Sequence, residues 1–318
     1  MKKLAICLAV LLCFLCPAEV LAADLLVPVG EVVGLELKNN QVTVAAFAEP
    51  LGLPTKQAGL REGDVLSSIN GTEIQCAEDV RTALSDAGEQ IEVDVERGGK
   101  SRHFSLKPQN TPEGPRLGIY LRQGISGIGT VTWYDPDTGK FGTLGHGVSG
   151  SGGNLLDMTS GTLYQAEISS VRKGTAGQPG QLRGTVKEVF GQLEENTPQG
   201  VFGTSETGWK GEPVPVAESG VIHTGPAKIR STVSGDSPRE YSVDILKIYP
   251  PDGENRRNFM IRVTDPALLD ATGGIGQGMS GSPIIQAGKL VGAVTHVLVN
   301  DPTKGYGILI ENMLNAAE

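Results

Sequence analysis

The sequence is poor in cysteine, in aromatic residues and in clustered positive charge. Only four of its 318 residues are cysteines, and three of them, Cys7, Cys13 and Cys16, fall within the first 16 positions. Cys76 alone lies beyond that segment. If the segment is removed, one cysteine remains and no internal disulfide can form, so the packing of the core must stabilise the fold. Cys76 has no neighbouring histidine and precedes a helical pattern, which favours a structural role over a reactive thiol.

Lysine and arginine occur at most in pairs, and the formal net charge of the chain is −9. This charge distribution argues against a nucleic-acid partner, which would require a basic patch or stripe. No group of histidine, cysteine and acidic residues has the spacing of metal ligands. We therefore expect neither a metal nor another cofactor.

Glycine, in contrast, is abundant. The 44 glycines make up about 14% of the chain, which is roughly twice the usual share. They follow no Gly-X-Y period, which excludes collagen, and 39% hydrophobic residues argue against disorder. At this length the sequence predicts a turn-rich globular protein of two folded units.

The first 23 residues have the pattern of an export signal. Two lysines follow Met1, residues 4–16 form an apolar run, and small residues surround position 22. The run is short for a membrane span of roughly 20 residues, although an uncleaved anchor is an open alternative. We expect an exported, extracytoplasmic protein in which residues 1–23 are a signal peptide or an uncleaved anchor.

Residues 30–107 are predicted to form a small α+β domain that resembles a PDZ domain. The resemblance rests on Ala58-Gly59-Leu60, Gly63-Asp64 and Ile69-Asn70-Gly71. In PDZ domains, backbone N–H groups of one loop capture a peptide carboxylate, and the peptide adds a strand to the sheet. The resemblance assigns that loop, and so the binding of a peptide or C-terminus, to Val33, Gly34 and Leu35. The alternative is that Gly34 only allows a tight turn.

The segment 108–115 contains three prolines and no apolar periodicity, which is typical of a linker. Residues 116–318 follow as a second domain. Short apolar runs separated by Gly and Pro turns predict a β-barrel or sandwich here, with a helix only at 309–317. The fold class is therefore β-rich and multidomain.

The segment Gly278-Met279-Ser280-Gly281-Ser282-Pro283 is the strongest candidate for a nucleophile. Acyl transfer needs an exposed hydroxyl beside backbone N–H groups that can face an oxyanion, here those of Gly278 and Ser280. No helix follows, so this is not the nucleophile elbow of α/β-hydrolases. A similar pattern at Ser149 lies three residues after His146 and is more simply explained as a glycine-rich turn, and Ser282 is interpreted as a structural hydroxyl.

A serine nucleophile needs a base and an acid that orients the base. His146, between two glycines at the end of a strand, is the best base, whereas His296 lies in an apolar run and is expected in the core. Asp265 ends a predicted strand 15 residues before Ser280. Of the other acids between His146 and Ser280, Asp252 is assigned to a predicted turn at 250–253 and Asp244 to the alternation of a strand. The residues alone leave the choice open among Asp157, Asp236, Asp265 and Asp270.

These motifs, with Thr264-Asp265-Pro266 and the segment Gly292 to Thr303, resemble the stage IV sporulation protein B family over nearly the whole chain. The resemblance implies a PDZ domain followed by a trypsin-like double β-barrel, with His146, Asp265 and Ser280 as base, orienting acid and nucleophile. It also implies an exported serine endopeptidase that acts in sporulation signalling, between the forespore and mother-cell membranes.

By the same resemblance, the substrates are the protein itself and a membrane-bound regulator of an intramembrane protease, whose cleavage leads to activation of a late sigma factor. Two other hypotheses stay open. One is a PDZ scaffold whose peptidase-like half is inactive. The other is a general quality-control protease, although such proteins usually carry the PDZ domain after the protease.

Overall fold

The structure of the protein is a computed structural model that describes residues 25–150, 153–250 and 257–318. The predicted export segment at 1–23 and residues 251–253 of a predicted turn lie outside the described residues. Within the described ranges, no helix has both the length and the apolar character needed to cross a membrane. These ranges fold into two β-barrels and a smaller α+β domain.

The first part of the chain supplies fourteen strands and two helices. In chain order these are β1 (Leu25–Pro28), β2 (Val32–Phe47), α1 (Leu53–Gln57), β3 (Val65–Ile69), β4 (Thr72–Glu73), α2 (Ala77–Ser85), β5 (Ile91–Arg97), β6 (Lys100–Leu106), β7 (Gln109–Thr111), β8 (Gly114–Arg116), β9 (Ile119–Tyr134), β10 (Lys140–Thr143), β11 (Ser160–Arg172), β12 (Gly180–Thr197), β13 (Gly200–Thr204) and β14 (Val214–Pro215).

Six of these strands form the first barrel. They follow the order β9, β10, β13, β12, β11 and β2, and β2 pairs again with β9 to close the ring. Leu35, Leu37, Val131, Phe141 and Leu163 fill its interior and are each at most 4% exposed. Because every second residue of a strand faces the same side, the alternating apolar residues of β2 point into this core.

The small α+β domain is inserted into the first barrel, between β2 and β9. The second half of β2, from Val42 to Phe47, pairs with β3 and with the beginning of β9. Val44, Leu66 and Val93 belong to its separate core. Both β2 and β9 therefore run through two domains, and a register shift between Leu37 and Val42 marks the passage from one to the other.

This insertion corrects the predicted domain boundaries. The first half of β2 belongs to the barrel, so the domain predicted at 30–107 does not begin at residue 30. Asn39 and Asn40 lie within the continuous strand β2 and form no turn between two separate strands. The segment predicted as a linker at 108–115 contributes to the hairpin of β7 and β8, which packs beside α2.

The predicted peptide-binding loop is wrong for the same reason. Val33, Gly34 and Leu35 pair with β11 on one side and with β9 on the other. Their backbone groups are therefore used by the barrel and cannot capture a carboxylate or add a strand.

The second barrel is formed by the rest of the chain, after a short 3₁₀ helix at Ser219–Val221. Its elements are β15 (Gly225–Ser231), β16 (Arg239–Ile248), β17 (Phe259–Val263), α3 (Pro266–Thr272), β18 (Gly276–Gln277), β19 (Pro283–Gln286), β20 (Lys289–Val297), β21 (Lys304–Leu309) and α4 (Ile310–Leu314). The strands β15, β16, β17, β21, β20 and β19 form a closed ring, which confirms the predicted trypsin-like double barrel. The helix expected at 309–317 is present as the shorter α4, whereas the expectation that this domain has no other helix is wrong, because α3 lies at Pro266–Thr272.

Candidate active site

His146 follows the end of β10, where the chain leaves the first barrel and meets the second. Leu144 and Gly145 have left-handed φ angles of 68° and 67°. A Cβ on Gly145 would lie 3.0 Å from side-chain atoms of Ile308 and Thr295, which belong to the second barrel. Glycine at this position lets the turn that carries His146 lie directly against that barrel.

The imidazole of His146 is held by the backbone of the next residue. Its Nδ1 lies 2.9 Å from the carbonyl oxygen of Gly147. Because a carbonyl can only accept, Nδ1 must carry the proton, which leaves Nε2 as the acceptor. Burial lowers the pKa of His146 below its ordinary value, so the ring is neutral at pH 7 and can act as a base.

Ser280 lies in a tight loop between β18 and β19 that is fixed to strand β20. The N–H of Gly281 donates to the carbonyl of Val294 at 2.7 Å, and the Ser280 hydroxyl donates to the carbonyl of Thr295 at 2.8 Å. Gly278 and Gly281 have φ angles of 97° and 95°, which residues with a side chain rarely adopt. The glycines found on either side of the serine are therefore required by the loop itself.

The end of β20 brings these two loops together. The carbonyl of Thr295 accepts a hydrogen bond from the Ser280 hydroxyl. The ring of the next residue, His296, lies 5.1 Å from the ring of His146. A base and a serine from different barrels thus meet beside the same strand. His146 and Ser280 are both only partly buried.

His296 does not lie in the core as the apolar run suggested. Its side chain is exposed, because β20 shifts register against β21 between Val294 and His296. Removal from bulk water, His146 and the positive charge of Arg257 together lower the pKa of His296 to about 4. His296 is therefore a second, neutral histidine at the site. The bulge that exposes it could not be predicted from the local sequence.

The oxyanion-binding groups predicted at Gly278 and Ser280 lie in the same loop. Neither N–H donates a turn or loop hydrogen bond within the described part of the chain. The intervening Met279 is fully buried, and its carbonyl accepts from Ser282. The loop can therefore offer two N–H groups next to the nucleophile, as the stabilisation of a tetrahedral intermediate requires.

Asp265 is placed elsewhere by the structure. One carboxylate oxygen accepts hydrogen bonds from the N–H groups of Ala267 and Leu268, at 3.0 and 3.1 Å, and so caps the start of α3. The other accepts from the N–H of Ser242 at 3.3 Å. Within the described residues, no carboxylate is hydrogen-bonded to His146, and the orienting position is taken by the carbonyl of Gly147.

The other two serines of the glycine-rich motifs, Ser149 and Ser282, make structural contacts. Ser149 is exposed and forms an isolated antiparallel bridge with Leu155. Ser282 is fully buried and donates its hydroxyl to the Met279 carbonyl, with the Ser231 hydroxyl at 2.9 Å. Across residues 25–150, 153–250 and 257–318, no three histidine, cysteine or acidic residues are grouped so as to hold a metal.

A groove that suits an extended peptide lies on the inserted domain, between α2 and the beginning of β9. It is a cleft of about 430 Å³ with an apolar floor that includes Leu51, Val80 and Leu84. The first residues of β9 pair with β2 along one edge only, so their other edge faces α2. An unpaired strand edge beside an apolar groove is the arrangement to which a peptide strand can be added.

The loop at the end of this groove is Arg116-Leu117-Gly118-Ile119. Gly118 has a φ of 65°, and a Cβ there would lie 2.4 Å from the backbone nitrogen of Gly52. The chain contains several apolar-glycine-apolar segments, and the one next to α2 occupies the position expected of the carboxylate-binding loop. Sequence reasoning assigned that loop to Gly34 because the local pattern is the same at both sites.

Comparison with known families gives two matches. The model of the family described as SpoIVB peptidase S55 matches residues 113–314, and a PDZ domain model matches residues 52–97. The PDZ match falls inside the insertion between β2 and β9 and includes α2, which flanks the groove.

The curated relatives resemble shorter parts of the chain. The mitochondrial serine protease HTRA2 of Drosophila erecta is 33% identical over 60 residues, which cover 19% of this chain and 14% of the relative. A probable periplasmic DegP-like serine endoprotease of Bartonella henselae is 30% identical over 134 residues, covering 35% and 27%. A putative zinc metalloprotease of Lactococcus lactis, LL2128, is 35% identical over 69 residues, covering 21% and 16%. The matched region thus spans about a quarter or less of each relative's length.

Among solved structures, the active form of the Rv3671c protease of M. tuberculosis has a TM-score of 0.37 and 16% identity, covering 61% of this chain and 73% of that one. The PDZ domain of the SdrC-like protein Lmo2051 of Listeria monocytogenes has a TM-score of 0.23 and 20% identity, covering 26% and 87%. Both are distant, and no role is inferred from them.

Proposed function

This chain belongs to the SpoIVB peptidase S55 family of serine peptidases, and from that premise we propose that it is a serine endopeptidase acting on proteins. The observation that carries the proposal is the meeting of His146 and Ser280 beside β20. A neutral imidazole with an accepting Nε2 packs against the ring of His296, and the serine, whose loop offers two backbone N–H groups, is bonded to the residue before it, Thr295. Acyl transfer needs these parts together.

In the proposed mechanism, the Ser280 hydroxyl turns from the Thr295 carbonyl toward His146. As Oγ attacks the substrate carbonyl, Nε2 takes its proton, and the N–H groups of Gly278 and Ser280 stabilise the oxyanion. His146 then donates that proton to the leaving amine, which frees the new N-terminus and leaves an acyl-enzyme. A water molecule, deprotonated by the same nitrogen, hydrolyses the ester and restores the serine.

The carbonyl of Gly147 performs part of the task of an orienting acid. It fixes the tautomer and the ring direction of His146. It stabilises the imidazolium less than a carboxylate would, because it carries only a partial charge. We therefore expect a modest turnover, which suits an enzyme that makes a few regulatory cuts.

The biological role proposed here rests on membership of the family. The peptidase would be exported and would act between the forespore and mother-cell membranes in sporulation signalling. It would cleave itself and a membrane-bound regulator of an intramembrane protease, and so lead to activation of a late sigma factor. The groove between α2 and β9 would hold a peptide or a C-terminus.

A catalytically inactive peptide-binding scaffold is the second candidate. Two observations favour it: the Ser280 hydroxyl is bonded to the Thr295 carbonyl, and no described carboxylate supports His146. The groove would then provide the function, and the barrels would act only as its support.

A fluorophosphonate probe separates the two candidates. It should label wild-type protein at Ser280, and the Ser280→Ala variant should not be labelled, whereas Ser149→Ala should be labelled like wild type. N-terminal sequencing of wild type and Ser280→Ala reports self-cleavage in the same samples. Wild-type protein that is folded but neither labelled nor processed would support the scaffold.

A further inference from the structure

Thr130, on β9 of the first barrel, contacts the nucleophile loop of the second barrel at two points. Its N–H donates to the carbonyl of Ser280 at 3.0 Å, and its hydroxyl donates to the carbonyl of Gly278 at 2.8 Å. Thr130 has no solvent exposure. One buried residue therefore binds the backbone on both sides of Met279.

The same residue also binds the segment that carries His146. The carbonyl of Thr130 accepts from the Thr143 hydroxyl at 2.7 Å and from the N–H of Leu144 at 3.3 Å. Leu144 lies two positions before His146. Thr130 is thus hydrogen-bonded to both loops that meet at the candidate active site.

These bonds matter because the nucleophile loop has an intrinsically permissive backbone. Glycine adopts positive and negative φ with similar ease, so Gly278 by itself allows the peptide that follows it to rotate. The Thr130 hydroxyl holds the carbonyl of that peptide, and the Thr130 N–H holds the carbonyl of Ser280. These two peptides flank the one that carries the N–H of Ser280, and the first of them directly follows Gly278. Together the two bonds limit the direction in which the N–H of Ser280 can point and restrain the rotation of the Gly278 backbone.

We propose that Thr130 is a positioning residue that keeps the oxyanion-binding N–H groups of Gly278 and Ser280 aligned with the nucleophile. The inference rests on the proposed peptidase function and extends it to a residue that touches no substrate. Stabilisation of an oxyanion depends on donors that are already oriented when the charge develops. Loss of the Thr130 hydroxyl should therefore weaken binding of the transition state more than binding of the substrate.

Thr132 offers a matched control two residues along the same strand. It is also fully buried, and its hydroxyl donates to the carbonyl of Gly281 at 2.8 Å. The Gly281 carbonyl comes after the nucleophile in the chain. It therefore lies outside the segment from Gly278 to Ser280, which carries the two oxyanion-binding N–H groups. Thr132→Val removes an equivalent buried hydroxyl, and so reports the effect of lost stability alone.

The experiment compares wild type, T130V, T130S and T132V on a fluorogenic peptide, with unfolding temperatures measured for each. T130V should lower kcat on the order of 10- to 100-fold, less than the roughly 10²- to 10³-fold loss on removal of an oxyanion donor, because the donors stay but are held less firmly. KM should stay within about twofold, because substrate binding is not affected. T130S, which keeps the hydroxyl, should retain kcat within about threefold, and so should T132V. The affinity for a peptide boronic acid should fall in T130V in parallel with kcat/KM.

Equal kcat for T130V and T132V would overturn the inference, and so would a T130S variant as slow as T130V. Should T130V fail to fold, T130A compared with T132A asks the same question. An inactive wild type would refute the proposed function and this inference together. An active wild type whose T130V variant keeps full kcat would refute the inference alone.

Discussion

The imidazole rings of His146 and His296 lie 5.1 Å apart at an angle of 39°, although one belongs to each barrel. Burial lowers the pKa of His146, and partial desolvation, together with the nearness of His146 and of the Arg257 charge, lowers the pKa of His296 to about 4. Both rings are therefore neutral at pH 7. Two adjacent imidazoles can share this interface because neither of them is charged.

The first prediction concerns the pH dependence of cleavage. A base must be neutral to accept a proton, and the pKa of His146 is lowered, so the acid limb of kcat/KM should have its midpoint below about 6.5. His296→Gln should keep the same midpoint, because His296 is already neutral above about pH 5. Initial rates between pH 4.5 and 8 on a short peptide measure this. A midpoint above 6.5 in wild type would contradict the placement of His146.

The second prediction concerns stability in acid. A histidine whose folded pKa lies below its unfolded value binds more protons when unfolded, so the unfolding free energy falls as the pH falls through that interval. For His296 the interval runs from 6.5 to about 4. His296→Gln should therefore lose less stability than wild type between pH 7 and pH 4.5, as measured by urea denaturation. His223→Gln, at an exposed histidine outside the site, should behave like wild type; equal losses in all three proteins would refute the assignment.

The third prediction separates two roles for Asp265. As the cap of α3, it should tolerate Asp265→Asn, because the amide oxygen can still accept from Ala267 and Leu268 and only the longer bond from Ser242 is lost, so kcat should stay within about threefold. Asp265→Ala should lower the unfolding free energy by about 0.5–2 kcal/mol. Chemical denaturation and peptide cleavage, measured on both variants, check these values. A loss of kcat near 10⁴-fold in Asp265→Asn would instead support the orienting role that the family resemblance implied.

Much of the chemistry could be predicted because its signals are local. The glycines beside His146 and Ser280 mark turns that need positive φ, and the structure has them at Gly145, Gly278 and Gly281. Alternating apolar residues likewise predicted strands and a barrel or sandwich, and the family resemblance implied that there are two barrels. The capping role of Asp265 was also present in the sequence, since Asp-Pro before an apolar run is a helix start signal.

The insertion of the PDZ domain could not be predicted in this way. Its evidence is the pairing of β2 with β9 and β11, which joins residues about 70 to 130 positions apart. A strand that is part of two domains has the same alternation of apolar residues as a strand that is part of only one. The exposure of His296 escaped prediction for a related reason, because the bulge in β20 is defined only against its partner β21.

The last prediction tests the location of the peptide groove. Tyr120 lines the cleft beside α2 and is 61% exposed, so Tyr120→Ala should cost little stability. It should weaken binding of a fluorescein-labelled peptide with a C-terminal valine about tenfold, because an aromatic contact is lost at the groove. Cleavage of a short peptide that does not enter the groove should be unchanged.

Gly34→Asp is the contrasting variant, since Gly34 is the centre of the segment to which the sequence analysis assigned the binding loop. A Cβ at Gly34 would lie 2.4 Å from Cγ1 of Val186, an exposed side chain on β12. Gly34→Asp should therefore lower the unfolding free energy by about 1–3 kcal/mol, as overpacking does, and leave the affinity of the groove for the labelled peptide unchanged. Fluorescence anisotropy and thermal unfolding measure the two effects separately. A Gly34→Asp protein that is fully stable but no longer binds the peptide would indicate that Val33, Gly34 and Leu35 form the binding loop after all.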